Sequence, residues 1–196
     1  MDDIVRQAMA KWPQVPHCYG WLGLDARGQW YMRDDRTQAA GRFASGLPHA
    51  KGSLLQHEKL IAFIGRNYLC DDAGQWYFQN GPQRVFVELQ ATPWIWRIAS
   101  DLSLTTHTGH AAQYRRCLVD EQGHAYLEAQ LADPNTPAGP ATTAFGLVHT
   151  LDVAQVADAL AQNQWAVVSV LSAELPARYG YVPSPQERLT DSLSIK

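Results

Sequence analysis

Three segments of the chain share one spacing: Asp25-x-x-Gly28-x-Trp30-Tyr31, Asp71-x-x-Gly74-x-Trp76-Tyr77 and Asp120-x-x-Gly123-x-Ala125-Tyr126. An Asp followed three residues later by Gly, between β-rich runs, suits a type I turn. The Asp side chain holds the backbone there and the Gly takes a positive φ. Each copy therefore reads as a β-hairpin. A calcium loop is the competing reading. It needs about six or more oxygen ligands, and these loops supply few beyond the Asp.

Three helices are legible between and around the hairpins. Ile4, Val5, Ala8, Met9 and Trp12 fall on one face before Pro13 ends the run. A second helix is expected over 54–67, opened by the capping pattern Ser53-Leu54-Leu55-Gln56, with Ile61, Ile64 and Tyr68 on one stripe. A third is expected from Asp152 as N-cap to about Asn163, with Gln155 as the reciprocal capping residue and Leu151 stapled onto Val156. Trp165 to Leu171 reads as a buried strand behind it. Further strands are expected at Val85–Leu89, Trp94–Ile98 and Leu102–His107.

In order, these elements make two similar strings of hairpin, polar loop, helix and strand, as in a tandem duplication. The polar loops are Asp34 to Gly52 and Asp133 to Thr143. The expected fold is α+β, built of tandem β-hairpin/helix repeats with a mostly antiparallel sheet. Residues 1–82 form the first segment, 83–175 the second and 176–196 an extended tail, in which Pro176, Pro183 and Pro185 break the periodicity.

Composition narrows the function classes. Sixteen basic and nineteen acidic residues are scattered without blocks, so no basic stripe is available to neutralise many phosphates, and nucleic acid is not an expected partner. No window approaches the roughly 18 apolar residues of a membrane-spanning helix, and Asp2, Asp3, Arg6 and Lys11 interrupt the first twelve residues as no signal peptide does. Cys18, Cys70 and Cys117 are odd in number and lack a Cys-x-x-Cys spacing, so a reducing, cytoplasmic setting fits best.

The stretches Val15-Pro16-His17-Cys18-Tyr19-Gly20-Trp21-Leu22, Phe63-Ile64-Gly65-Arg66-Asn67-Tyr68 and Phe78-Gln79-Asn80-Gly81-Pro82-Gln83-Arg84 resemble an uncharacterised proteobacterial protein family, a domain of unknown function. The hairpin, helix, Trp-Tyr hairpin and Val-x-Val strand ending in Ala91-Thr92-Pro93 are similar in order to another repeat-containing family of unknown function, for which a signalling role has been suggested. The resemblance implies a fold and a regulatory role. It carries over no catalytic residue.

The first candidate site is the polar, aromatic-flanked stretch Phe78 to Arg84, whose amides and guanidinium suit a carboxylate or phosphate; its local reading is a turn at Asn80-Gly81-Pro82. Arg66, at the end of the second helix, is explained by capping or, turned toward Arg84, completes an anion pocket. A groove between repeats lined by Trp21, Arg66, Tyr68, Gln79, Asn80 and Arg84 is the expected ligand site. Trp30-Tyr31 and Trp76-Tyr77 read as packing between repeats before a stacking platform, since neighbours on a strand face opposite ways. His107, His110, His124 and His149 lack a Glu or Cys at ligand spacing, so no metal is assigned, and no cofactor is implied. His17 beside Cys18 does not make a nucleophile, because neighbours on an extended strand diverge.

The function expected is that of a non-enzymatic cytoplasmic regulatory or small-ligand-binding protein, with a small anionic ligand or another protein as partner. Two alternatives stay open: an enzyme of unfamiliar class using His107 or His110 with a carboxylate such as Glu88 or Asp101, and a protein-binding adaptor. A homodimer paired through sheet edges is compatible with either.

Overall fold

The computed structural model describes residues 1–131 and 142–194. It is a mixed α+β protein with two six-stranded sheets and, among the described residues, six α-helices. The chain forms two compact units: residues 1–25, 29–91 and 180–196 make the first, and 26–28 with 92–179 make the second.

In the first unit the elements run α1 (Asp3–Lys11), β1 (Cys18–Leu24), β2 (Trp30–Met32), α2 (Asp35–Ala40), β3 (Ser53–Leu54), α3 (Glu58–Arg66), β4 (Tyr68–Cys70), β5 (Trp76–Asn80) and β6 (Gln83–Leu89). The strand order is β3-β2-β1-β6-β5-β4. β6, which a boundary at residue 82 assigns to the second segment, is paired with β1 and β5 in this sheet. The remaining elements are β7 (Trp94–Ile98), β8 (Leu104–Thr106), β9 (Ala111–Val119), β10 (Ala125–Leu131), β11 (Thr142–Val148), α4 (Val153–Ala161), β12 (Val167–Ser169), α5 (Leu175–Tyr179) and α6 (Pro185–Ser194). Of these, α6 belongs to the first unit.

All three Asp-x-x-Gly segments are hairpin turns. Asp25, Asp71 and Asp120 each accept a backbone N–H four residues on, from Gln29, Gln75 and His124 at 2.8 to 2.9 Å. Gly28, Gly74 and Gly123 take φ of 76°, 78° and 83°. The turn needs a residue without a Cβ at that position, and the sequence supplies one each time.

The sheets are mixed rather than purely antiparallel. β1 runs parallel to β6, β11 to β7 and β12 to β9. Parallel neighbours require a long crossover, which local patterning does not reveal. In the second unit β7 to β11 form an antiparallel meander, and β11 returns to pair with β7, closing a five-stranded barrel. An odd number of alternating strands leaves the first and last pointing the same way, so closure has to be parallel. Trp96, Leu118, Leu127 and Ala129 are all fully buried, and the Trp96 indole donates to the Leu127 carbonyl at 3.0 Å.

The first sheet also curls. Trp30 on β2 and Tyr68 on β4 are four strand spacings apart in the order, about 19 Å in a flat sheet. Their rings nevertheless meet edge to face with centroids 5.2 Å apart, and Tyr68 also packs on Trp76 at 4.8 Å. The two Trp-Tyr hairpins thus share one core cluster, with Leu22, Leu24, Phe78 and Val87 buried on the same inner face.

Several local expectations are overturned. The second helix starts at Glu58 with His57 as its cap, and Ser53–Leu54 is a strand paired with β2. Asp152 does not cap α4 with its side chain, which instead accepts from Arg97 and from the Ile98 amide; Leu151, 74% exposed, forms no staple. α1 buries Val5 and leaves Ile4 and Trp12 exposed. β12 is an exposed edge strand, not a buried one, although Trp165 and Val170 on either side are buried. The loop Asp34 to Gly52 holds α2 and a short 3-10 turn whose Phe43 is buried. In the second loop, residues 133–141 lie outside the described residues. The tail is helical rather than extended, in α5 and α6. Ser184 caps α6 by accepting the Glu187 amide, and Pro185, with no N–H to lose, sits at the first helical position.

Candidate functional site

Strand alternation sorts the expected site residues. Tyr68 is paired with Phe78 and faces the inner core, whereas Gln79 is paired with Arg84 and faces outward with Tyr77 and Phe86. Tyr68, 5% exposed, is therefore a core residue on the opposite face from Arg84. Arg66 does not turn toward Arg84: its guanidinium makes three hydrogen bonds of 3.1 to 3.2 Å to the Asp2 carboxylate and ties α1 to α3. That contact holds the Asp2 carboxyl below its ordinary range. Asn80 is exposed at the hairpin tip, and Trp21 is exposed on β1.

Arg84 and Gln79 do come together, as cross-strand neighbours. The Arg84 guanidinium lies 4.7 Å from the Tyr77 ring centroid. Phe86, two pairs further along and on the same face, carries Tyr19 stacked on it at 4.5 Å and 8°, with His17 edge-on at 5.8 Å. Arg84 forms no ion pair among the described residues, while the nearby Asp71 carboxylate is held inside its own turn by the Ala73 and Gln75 amides. Burial and the Asp71 charge push the Tyr19 hydroxyl pKa up, and Arg84 draws it back, so Tyr19 lies within electrostatic reach of both. Gln79 is buried, its Nε2 donating to the Gly81 carbonyl at 2.8 Å while its Oε1 meets no hydrogen-bond partner among the described residues. His17 and Tyr19 were missed as site residues. Their only sequence signal is proximity to Trp21, because the β1–β6 pairing that brings them to Arg84 is non-local.

The outer face holds a second polar cluster at its middle. Glu88, 3% exposed, accepts from the Ser184 hydroxyl and from the Gln186 amide, so β6 holds the start of α6. Burial pushes its carboxyl pKa up, against these hydrogen bonds and the charge of Arg33. Arg33, 2% exposed, donates to the carbonyls of Ala50, Gly20 and Gly41. Glu88 is thus engaged with α6 and not with a histidine.

In the second unit His107 Nδ1 accepts the Ile95 amide at 3.3 Å, and His110 Nδ1 meets Thr108 Oγ1 at 3.0 Å in a Thr106–Thr108–His110 chain. Both rings pack on Trp94. Burial pulls the His110 pKa down. Asp101 accepts the Ser103 amide in the β7–β8 turn. Among the described residues no three His, Cys, Asp or Glu side chains gather as metal ligands do. Burial pushes the Cys117 thiol up to about 11, and at the surface residue Cys70 partial desolvation and the charges of Asp71 and Asp72 push the thiol up as well, which disfavours the thiolate at both. Two open polar clefts are also present, about 440 Å3 beside α2 in the first unit and about 350 Å3 beside α4 in the second.

Together these features define a mixed α+β protein whose curled sheet and closed barrel carry polar surface sites. The chain belongs to the family DUF2944, described as "Protein of unknown function (DUF2946)", which matches residues 1–186. No curated protein matches it. Among solved structures it is similar to a DUF1285 family protein from Silicibacter pomeroyi DSS-3, at 14% identity over 74% of this chain and 72% of that one, with a TM-score of 0.42.

Proposed function

We propose that this is a non-enzymatic, small-ligand-binding protein of the cytoplasm with a regulatory role, and that its ligand is a small anion held at Arg84. The observation that carries the reading is the half-buried Arg84 guanidinium, without an ion pair among the described residues, set over Tyr77 beside the Tyr19–Phe86 stack. A guanidinium already backed by an aromatic face keeps its planar fork of donors for a carboxylate or phosphate. Of the neighbouring rings Tyr77 and Phe86 are buried, so the partly exposed Tyr19 and the exposed His17 supply the ring surface open to whatever carries the anion. Three free thiols support the cytoplasmic setting. The shared geometry of the Asp25, Asp71 and Asp120 turns supports an internal repeat.

The test is a thermal-shift screen of the purified chain against nucleotides, organic acids, sugars and divalent metals. A binder of the native state raises the melting temperature by mass action. The expected result is a saturable rise with an anionic compound, lost in Arg84→Ala. A panel with no active anion counts against the proposal.

A further inference from the structure

The aromatic side chains around Arg84 form a layered arrangement. Alternation along β6 puts Arg84 and Phe86 on one side of the strand, and Tyr77 pairs with Phe86 across the hairpin. The Tyr77 and Phe86 rings, 5.7 Å apart, are both buried and make a floor. On that floor lie Tyr19, flat against Phe86, and His17, edge-on to it. Gln83 Nε2 donates to the Pro16 carbonyl at 3.0 Å. These two residues adjoin Arg84 and His17, so the segment ahead of β1 is fixed at the Arg84 end of β6. Phe86 covers one face of Tyr19, so what this half-buried residue leaves in solvent is its other face and its edge. His17 is exposed. The nearby Asp71 carboxylate has both oxygens engaged within its own turn, one by the Ala73 and Gln75 amides and the other by Gln75 Nε2 at 3.2 Å.

We infer that the ligand of the Arg84 site is a planar aromatic carboxylate, with its acid group on the guanidinium and its ring against Tyr19 and His17. This rests on the reading of Arg84 as an anion site and adds the chemistry of the group that carries the anion. A ringless anion uses the guanidinium alone and leaves the open ring surface in water. A flat ring can extend the Tyr19–Phe86 stack or meet a ring edge, and each such aromatic pair strengthens binding roughly two- to tenfold beyond the area it buries. A saturated ring of the same size buries similar area but has no π face to match. In an aryl carboxylate the acid and the ring are conjugated in one plane, so the ligand loses little internal freedom on binding.

The experiment is an NMR titration of the 15N-labelled full chain with benzoate, cyclohexanecarboxylate and acetate. Benzoate is expected to shift the amides of residues 17–19 and 84–86 saturably. It should bind at least about threefold more tightly than cyclohexanecarboxylate and about tenfold more tightly than acetate. Tyr19→Leu, which keeps apolar bulk over Phe86, and His17→Ala, at an exposed position, should each bring benzoate and cyclohexanecarboxylate toward equal affinity. Arg84→Ala should weaken all three. If the three acids bind in an Arg84-dependent way but cyclohexanecarboxylate matches benzoate, or if neither ring variant changes their ratio, the aromatic ligand is overturned and the anion site stands. If none of the three binds in an Arg84-dependent way, both are overturned.

Discussion

The Glu88 carboxylate on β6 accepts the backbone N–H of Gln186 at 3.1 Å, joining residues 98 apart in sequence. Its other oxygen takes the Ser184 hydroxyl, and Gln186 in turn hydrogen-bonds Gln38 at 2.9 Å. A buried acid on a central strand thus anchors the first turn of α6, where a helix presents unpaired amides and the positive end of its dipole.

Replacing Glu88 by Gln puts an NH2 group where one of two donors now points. We expect a loss of about 1 to 3 kcal/mol in urea unfolding, the cost of an unmet buried hydrogen bond. A variant as stable as the wild type would show that the anchor contributes nothing.

The same residue sets a pH dependence with a definite sign. Burial raises the folded-state pKa of Glu88 above the unfolded value, so the native state binds more protons than the unfolded state between the two. Its contribution is fully present below the ordinary glutamate value of about 4.3 and is lost as pH rises through the raised folded value. The stability difference between wild type and Glu88→Gln should therefore shrink as pH rises above about 4.3. A difference that widens over that range contradicts the burial argument.

Asp152 offers a test of which partner matters. Its Oδ2 takes the Arg97 Nε at 2.6 Å and the buried Ile98 amide at 3.0 Å, while the Arg97 side chain is 49% exposed. Asp152→Ala strands the Ile98 amide and should cost about 1 to 3 kcal/mol. Arg97→Ala should cost less, because Asp152 keeps that amide and solvent screens the lost charge. Chemical denaturation of both variants decides the order.

Two turn glycines with one backbone geometry should respond differently to alanine. Gly123 has open space where a Cβ would sit, so Gly123→Ala costs only the left-handed conformation, about 1 to 2 kcal/mol. At Gly74 a Cβ would lie 2.2 Å from the Gly180 carbonyl oxygen, which cannot yield without moving the chain before α6. Gly74→Ala should lower the melting temperature markedly more, as scanning calorimetry of the pair would show.

The hairpins were legible because their chemistry is local: each Asp holds an amide four residues on, and each Gly frees a φ. The Trp30 and Trp76 pairing through Tyr68 was partly legible, since alternation requires one ring of each Trp-Tyr pair to face inward. What stayed hidden depends on distant partners. Ser53-Leu54-Leu55-Gln56 has capping chemistry, but β2 claims Ser53 and Leu54. Asp152 is a sound N-cap by type, yet Arg97 and Ile98 take its oxygens. The signal for α6 was present in Ser184-Pro185-Gln186-Glu187, and the prolines around it masked it. Arg84 and Gln79 were legible as a polar hairpin pair, whereas Arg66 was lost to Asp2, and Tyr68 to the core, by contacts that no spacing announces.

The anion site proposed at Arg84 has a direct readout. It is tested most directly by titration calorimetry of the full chain with each anion that raises its melting temperature, in parallel on Arg84→Ala and on Arg36→Ala, an exposed arginine elsewhere on the first unit. Binding should weaken by at least about tenfold in Arg84→Ala, as loss of a charge-assisted pair implies, and remain unchanged in Arg36→Ala. Equal affinity in the wild type and Arg84→Ala would contradict the account.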